Sequence, residues 1–299
     1  MTAPYKSYKN RLELARTLSK IANANIQDIL DKPRKSTLYG RSQRIGITGP
    51  PGTGKSTLIA GWAEFRLKMG KTIGVLAIDP SSPVTQGSIL GDRIRMECVI
   101  DNERFYLRSI PDTLNSDGLC HNIVNLLDVF EQYNFDDVVL ETVGIGQSEH
   151  HVRCLVDTVV LVLNPQSGDI IQAMKAGIME IADIFVINKA DLGGSELLER
   201  DIRGVLDFTT HENAWRPRII KISCKDDTGI QELNKCIDNH YEWVKENVAP
   251  DEIHNQRQDF QLAQLISGQV CHYLTENAEA SKSLREKYDN VVRWIVGLK

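Results

Sequence analysis

Gly49-Pro50-Pro51-Gly52-Thr53-Gly54-Lys55-Ser56 fits the pattern GxxxxGK[ST] in full. It lies between a short β-rich run and a helix-like stretch, the context such a loop needs to cradle phosphates. Glycines let backbone N–H groups curl around an anion where a Cβ would obstruct them. The helix that follows aims its N-terminus, with its partial positive charge, at the same anion. Lys55 has the reach for β- and γ-phosphates, and the Ser56 hydroxyl can ligate Mg2+. Thr57 belongs to the same expected nucleotide-binding stretch. A glycine-rich turn with a chance Lys-Ser is the bland alternative, and the strand–loop–helix context speaks against it.

A second motif would read the base. Asn188-Lys189-Ala190-Asp191 follows the apolar run Ile184-Phe185-Val186-Ile187 and fits NKxD. At a strand end, Asp191 can accept two hydrogen bonds, from guanine N1–H and the exocyclic amine. Adenine offers no such donor pair, so the carboxylate would be left unpaired against ATP. Lys189 would lie along the base and Asn188 would brace the loop. Ser223-Cys224-Lys225, after the β-rich run 218–222, resembles an SAK-type base loop. The two motifs together predict a GTP site and GTP hydrolysis.

Acids complete the pattern. In Asp137-Val138-Val139-Leu140-Glu141-Thr142-Val143-Gly144 an apolar strand ends in ExxG. A DxxG loop in this place faces Mg2+ with its acid through water and senses the γ-phosphate with its glycine amide, here Gly144. Glutamate in place of aspartate departs from Ras-like proteins. Asp79, opening Asp79-Pro80-Ser81-Ser82, and Asp92, in Gly91-Asp92-Arg93, are further acids available to the metal and the attacking water. The expected catalytic set is Lys55, Asp79, Asp92 and Glu141. The expected metal set is Ser56, Asp79, Asp92 and Glu141. Local readings compete: Asp79 as an N-cap or turn residue before Pro80, and Asp92 as a solvated charge beside Arg93.

These loops need a rigid frame. Strand-like runs at residues 44–48, 72–78, 104–108, 138–140, 158–163, 184–187 and 218–222 alternate with helical stretches. That alternation predicts an α/β fold of the P-loop type, a mainly parallel sheet covered on both faces. Residues 8–32 read as one amphipathic helix, with Leu12, Leu14, Ala15, Leu18, Ile21 and Ala22 at three- and four-residue spacing. Residues 33–44 read as a polar linker. From Asp251 onward the chain is wholly helix-like, with ridges of Leu262, Leu265 and Ile266, then Val291, Val292 and Ile295. The expected division is an N-terminal helical segment (1–40), a GTPase domain (41–246) and a C-terminal helical region (247–299). The C-terminal ridges, with Trp243, Tyr273 and Trp294, would cover the core or a second subunit, and a homodimer is expected.

Composition narrows the class. With 299 residues, 41% hydrophobic and 25% charged, the chain can bury a substantial core. A net charge of −5 weighs against a broad nucleic-acid or anionic-lipid surface. No apolar run approaches the roughly 20 residues that span a bilayer, and residues 1–20 lack a secretory apolar core. Six cysteines (Cys98, Cys120, Cys154, Cys224, Cys236, Cys271) form no CxxC pair. Reduced thiols and a cytoplasmic location are expected.

The runs GPPGTGKST, VLAIDPSSPVTQGSILGDRIRME, LETVGIGQSE and GDIIQAMKAGIMEIADIFVINKAD are similar to the MeaB/ArgK-type GTPases of the SIMIBI class. The similarity spans about residues 44–191, roughly half the chain. It implies a G-protein chaperone of an adenosylcobalamin-dependent acyl-CoA mutase, coupling GTP hydrolysis to cofactor loading, protection or reactivation. By the same resemblance Gln147 belongs to switch II. Residues 168–178 resemble a third switch facing the mutase, with Gln172 and Lys175 as contacts; an ordinary amphipathic crossover helix is the alternative there. Gln86 replaces a family glycine, and the segment 109–119 holds one glycine where the family is glycine- and serine-rich. Both departures leave open which acyl-CoA mutase is the partner.

Two other functions fit parts of the sequence. His150-His151-Val152-Arg153-Cys154 and Cys120-His121 would suit a metallochaperone GTPase delivering nickel or zinc. ArgK-type proteins have also been described as kinases, although no acceptor-activating base is recognisable here.

Overall fold

Side chains along a strand alternate between faces, so a strand buried on both sides must be apolar throughout. The computed structural model describes residues 8–30, 42–79, 96–111, 122–142, 151–166, 177–209, 215–223, 228–277, 283–295 and 297. Its strands are β1 (Gln43–Thr48), β2 (Ile73–Asp79), β3 (Phe105–Pro111), β4 (Asp137–Glu141), β5 (Thr158–Leu163), β6 (Ile184–Asn188) and β7 (Arg218–Ile222). They form one sheet in the order β3-β2-β4-β1-β5-β6-β7, every pairing parallel.

The helices are α1 (Tyr8–Ala22), α2 (Ile26–Leu30), α3 (Lys55–Lys68), α4 (Glu97–Ile100), α5 (Ile123–Gln132), α6 (Ser195–Thr209), α7 (Ile230–Asn247), α8 (Pro250–Glu276) and α9 (Leu284–Ile295). On one face of the sheet, Val139, Val160, Val162, Ile184 and Val186 pack under α3 and α7. On the other, Val138 and Leu140 pack under α1 and α5, while Leu161, Leu163, Phe185 and Ile187 pack under α6. Adjacent residues of one strand thus serve opposite cores, and the α/β reading holds.

Several boundaries differ from the sequence reading. The expected single helix over 8–32 breaks at Asn23–Asn25. The Asn25 side chain accepts the Asp28 amide at 2.8 Å, which caps α2 and restarts the helix. The expected linker ends early, because Ser42 and Gln43 are already buried against the sheet. Strand β3 runs on to Pro111 and β4 gains Asp137 and Glu141. In both cases pairing with β2 extends the strand past its apolar stretch.

The amino ends of the central strands are held by buried charge. Arg44 on β1 donates from Nε to Glu131 and from Nη2 to Asp128, each at 2.7 Å. Its amide donates to Asp157 at 2.8 Å. Arg257 of α8 binds the other oxygen of Asp157 at 2.6 Å. Arg66, at the far end of α3, grips Asp137 with two bonds of 2.5 and 2.8 Å and reaches Asp238 of α7 at 3.0 Å. Burial opposes the charge on Arg44, yet the Glu131 and Asp128 carboxylates outweigh it and hold its pKa above the ordinary value. Burial lifts the Glu131 carboxyl above the usual range even with Arg44 against it.

Breaking such a pair by removing one member strands a buried charge. Arg44→Leu is therefore expected to lower unfolding free energy by about 3–5 kcal/mol, read by urea denaturation. A loss below about 1 kcal/mol, the range of surface pairs, would show that the network carries little weight.

Candidate functional site

Parallel strands end on the same side, and neighbouring strands end beside each other. Register pairs Ile47 of β1 with Glu141, and Ala77 of β2 with the same Glu141. The loop after Thr48, the acid Glu141 and Asp79, the last residue of β2, therefore gather at the sheet's carboxyl end. On the other flank of β1, β5 and then β6 bring Asn188 to that end.

The glycine loop is shaped by what it passes. Gly49 has φ 138°, and a Cβ there would stand 2.1 Å from the Val162 carbonyl oxygen. Gly54 has φ 91° and opens α3. Thr53 turns back on the loop, its Oγ1 donating to the Pro50 carbonyl at 2.9 Å. Lys55 Nζ lies under the loop and donates to the carbonyls of Gly49 and Pro50 at 2.7 and 3.1 Å. Pro51, Gly52 and Thr57 are exposed, so the mouth of the loop faces solvent.

Ser56 and Glu141 meet directly. Ser56 Oγ donates to Glu141 Oε1 at 2.8 Å, with both residues buried. Next to them, Thr142 Oγ1 donates to Thr48 Oγ1 at 2.9 Å, and the Thr142 amide donates to the Ile47 carbonyl at 3.2 Å. Sequence reasoning did not single out this hydroxyl pair. Its one signal was a threonine at each of two strand ends where the apolar run stops.

Asn188 and Lys189 reach across to the glycine loop. Asn188 Nδ2 donates to the Thr53 carbonyl at 2.8 Å, so Asn188 braces the neighbouring glycine loop. Lys189, at φ 55°, donates from Nζ to the Gly52 carbonyl at 2.9 Å. Pairing of β6 with β7 brings Ser223 to Asp191, Oγ to Oδ1 at 3.1 Å, and leaves Asp191 exposed. Asp92, Gly144, Gln147, Gln172, Lys175, Cys224 and Lys225 lie outside the described residues. So do His150, Cys120 and His121, while the His151 ring packs 5.2 Å from Phe260. Cys154 accepts a hydrogen bond from Gln256 Nε2 at 3.8 Å, and burial pushes its thiol pKa up. Among the described residues no three His, Cys, Asp or Glu side chains group to hold a metal.

The assembled site offers two lysine ammonium groups, a backbone loop opening at a helix N-terminus, a buried hydroxyl–carboxylate pair and an exposed carboxylate. Such a set suits a polyphosphate with a polar ring at one end.

The chain matches the family described as methylmalonyl Co-A mutase-associated GTPase MeaB over residues 14–279. A Pyrococcus abyssi protein that carries a GTPase name is 37% identical over 259 residues, 86% of this chain and 78% of that one. The Escherichia coli GTPase ArgK is 31% identical over 252 residues, covering 83% of this chain and 76% of its own. The mouse mitochondrial methylmalonic aciduria type A homologue is 32% identical over 246 residues, covering 80% and 59%. The crystal structure of an LAO/AO transport system kinase superposes with a TM-score of 0.57 at 22% identity, over 97% of this chain and 99% of that one, a likeness of fold.

Two glycines give opposite expectations. A Cβ at Gly54 would stand 2.6 Å from Asn188 Nδ2 at a left-handed φ, so Gly54→Ala should cost about 1–3 kcal/mol. Gly204, within α6, has nothing within 4 Å of its Cβ position. Gly204→Ala should stabilise by about 0.5–1 kcal/mol. Thermal denaturation of the two variants checks both signs.

Proposed function

The chain belongs to the methylmalonyl-CoA mutase-associated GTPase family MeaB, and on that premise we propose that it is a GTP-driven chaperone of an adenosylcobalamin-dependent acyl-CoA mutase. The observation that carries this reading is the meeting of three loops at one sheet end, with Ser56 on Glu141 and Asn188 on Thr53. The family name and the kinship with a methylmalonic aciduria type A homologue support the mutase as partner. GTP hydrolysis itself follows from family membership.

In this proposal the N–H groups from Gly52 to Thr57 take the β- and α-phosphates. Lys55, already under the loop, turns its ammonium to the β,γ-bridge. The Ser56 hydroxyl and Glu141 carboxylate are hard oxygen donors held 2.8 Å apart, which fits Mg2+. Asp79 and Asp92 are the remaining acids for the metal and the water. Bound Mg2+ would supply charge neutralisation between the β- and γ-phosphate oxygens. Water attacks the γ-phosphorus, the bond to the bridging oxygen breaks, and GDP and phosphate leave. Asp191 selects guanine, held in place by the Ser223 hydroxyl, while Lys189 lies along the base.

The chaperone role rests on differential affinity. The GTP and GDP forms must bind mutase states unequally, since a ligand can shift only an equilibrium it distinguishes. Gly144, Gln147, Gln172 and Lys175 are the proposed residues that report the nucleotide to the partner. The exposed ridge of Leu262, Ile266, Leu274, Tyr288 and Ile295 on α8 and α9 supports a homodimer through the C-terminal helices.

Asp191→Asn is expected to lower the GTP-to-ATP ratio of kcat/KM by on the order of 100-fold or more, measured as phosphate release. An unchanged ratio would remove Asp191 from the base site. Phosphate release from GTP should also rise when the cognate acyl-CoA mutase is added, with apo and cofactor-loaded forms giving different rates. If methylmalonyl-, isobutyryl-, ethylmalonyl- and 2-hydroxyisobutyryl-CoA mutases all leave the rate unchanged, the mutase reading fails and the GTPase stands.

A further inference from the structure

Among the described residues the sheet has an open side far from β1. Strand β7 is its last strand, and among the described residues it pairs on one side only, with β6. The other edge of β7 opens into a groove of about 900 Å3 whose base is the run Trp215 to Ile220. Helices α6 and α7 wall it from opposite faces of the sheet. Leu206 comes from α6 and Cys236 from α7, and each helix packs on its own core.

A slot with a strand edge at its base and a helix on each side has the shape of one missing strand. The edge presents backbone N–H and C=O groups that another extended chain can complete. Native sheets usually guard such an edge with charge. Here Lys221 is turned to α6, where it pairs with Glu199 at 2.8 Å and Glu196 at 3.3 Å. Ile219 and Ile220 point to opposite cores, so an added strand would lie between Leu206, flanked by Arg203 and Asp207 on α6, and Cys236, flanked by Glu232, Lys235 and Asn239 on α7.

Charge decides what kind of strand fits. The groove is lined by Arg203, Arg216, Arg218 and Lys235 against Asp207 and Glu232, an excess of two positive charges on a chain whose net charge is −5. Arg203 is engaged by Glu199 at 2.6 Å within α6. Arg216, Arg218 and Lys235 are exposed, and none has a carboxylate within ion-pair distance among the described residues.

We propose that the free edge of β7 is a docking site for an extended acidic segment of a partner protein, which adds to the sheet as an eighth strand. Backbone hydrogen bonds to β7 supply attachment, alternate side chains meet Leu206 and Cys236, and flanking carboxylates meet Arg216, Arg218 and Lys235. The carboxyl end of β7 leads into Ser223, which pairs with Thr228 and donates to Asp191. The proposal does not depend on which mutase, or whether any mutase, is the partner.

The test uses the full chain and a fluorescein-labelled, end-capped nonapeptide of alternating glutamate and valine. Controls are the lysine–valine counterpart and the glutamate peptide with alternate amides N-methylated. Fluorescence anisotropy should show the glutamate peptide binding at least about tenfold tighter than the lysine one, and more weakly as salt rises. N-methylation should abolish binding, since it removes the ladder donors. The double variant Arg216→Glu/Arg218→Glu should weaken binding about tenfold or more while GTP turnover stays unchanged, because neither residue lies at the nucleotide site. Hydrogen exchange should slow at the amides of Arg218–Ile222 when peptide is bound. Equal affinity for the two peptides, affinity untouched by the double variant, or protection confined to other strands would each overturn the proposal.

Discussion

The in-register parallel pairing of β1 with β4 is the constraint on which the carboxyl end of the sheet depends. Strands that ran antiparallel, or were separated by another strand, would leave Glu141 remote from α3. With Ile47 opposite Glu141, the loop that leaves β1 and the acid that ends β4 arise within one strand spacing. Ser56, one residue into α3, then falls within hydrogen-bond range of Glu141 without any distortion of either element. The Thr48–Thr142 hydroxyl pair ties the same two strands one step further on.

The opposite end of the sheet secures this alignment. Arg44 and Arg66 gather carboxylates from β4, α5 and α7 around the start of β1. Buried ion pairs are weak sources of net stability, because desolvation offsets most of the attraction. Their directional bonds still specify one register, since a slip would strand charges in an apolar interior. Through Asp157 the same network reaches Arg257, which fastens α8 to the domain beside β5. The Ser56–Glu141 contact and the arginine anchors therefore occupy opposite ends of the sheet.

At the carboxyl end the lysines work differently. Lys55 and Lys189 donate to carbonyls of the glycine loop, at Gly49, Pro50 and Gly52. Their charges are thus held against neutral carbonyl dipoles. A phosphate would offer a lysine a stronger, charge-assisted acceptor than a carbonyl. The Asn188–Thr53 bond ties the end of β6 to the glycine loop.

The sequence alone determined the local chemistry. Glycines at left-handed positions, a lysine and serine at a helix start, an asparagine–lysine–aspartate loop after an apolar strand, and unbroken apolar runs along the strands are all readable within a few residues. Each reflects backbone sterics or side-chain period, which act over short range. Glu141 was legible as an acid at a strand end, and Lys189 as a lysine following one, but their contacts with Ser56 and Gly52 were not. The strand order, the break at Asn23–Asn25, the arginine networks and the open edge at β7 were decided by tertiary structure. An apolar strand pattern states which faces are buried and is silent on which strand lies beside it. Neighbours are chosen by how the helices between strands pack across the whole sheet, and only that choice brings distant residues within reach of one another.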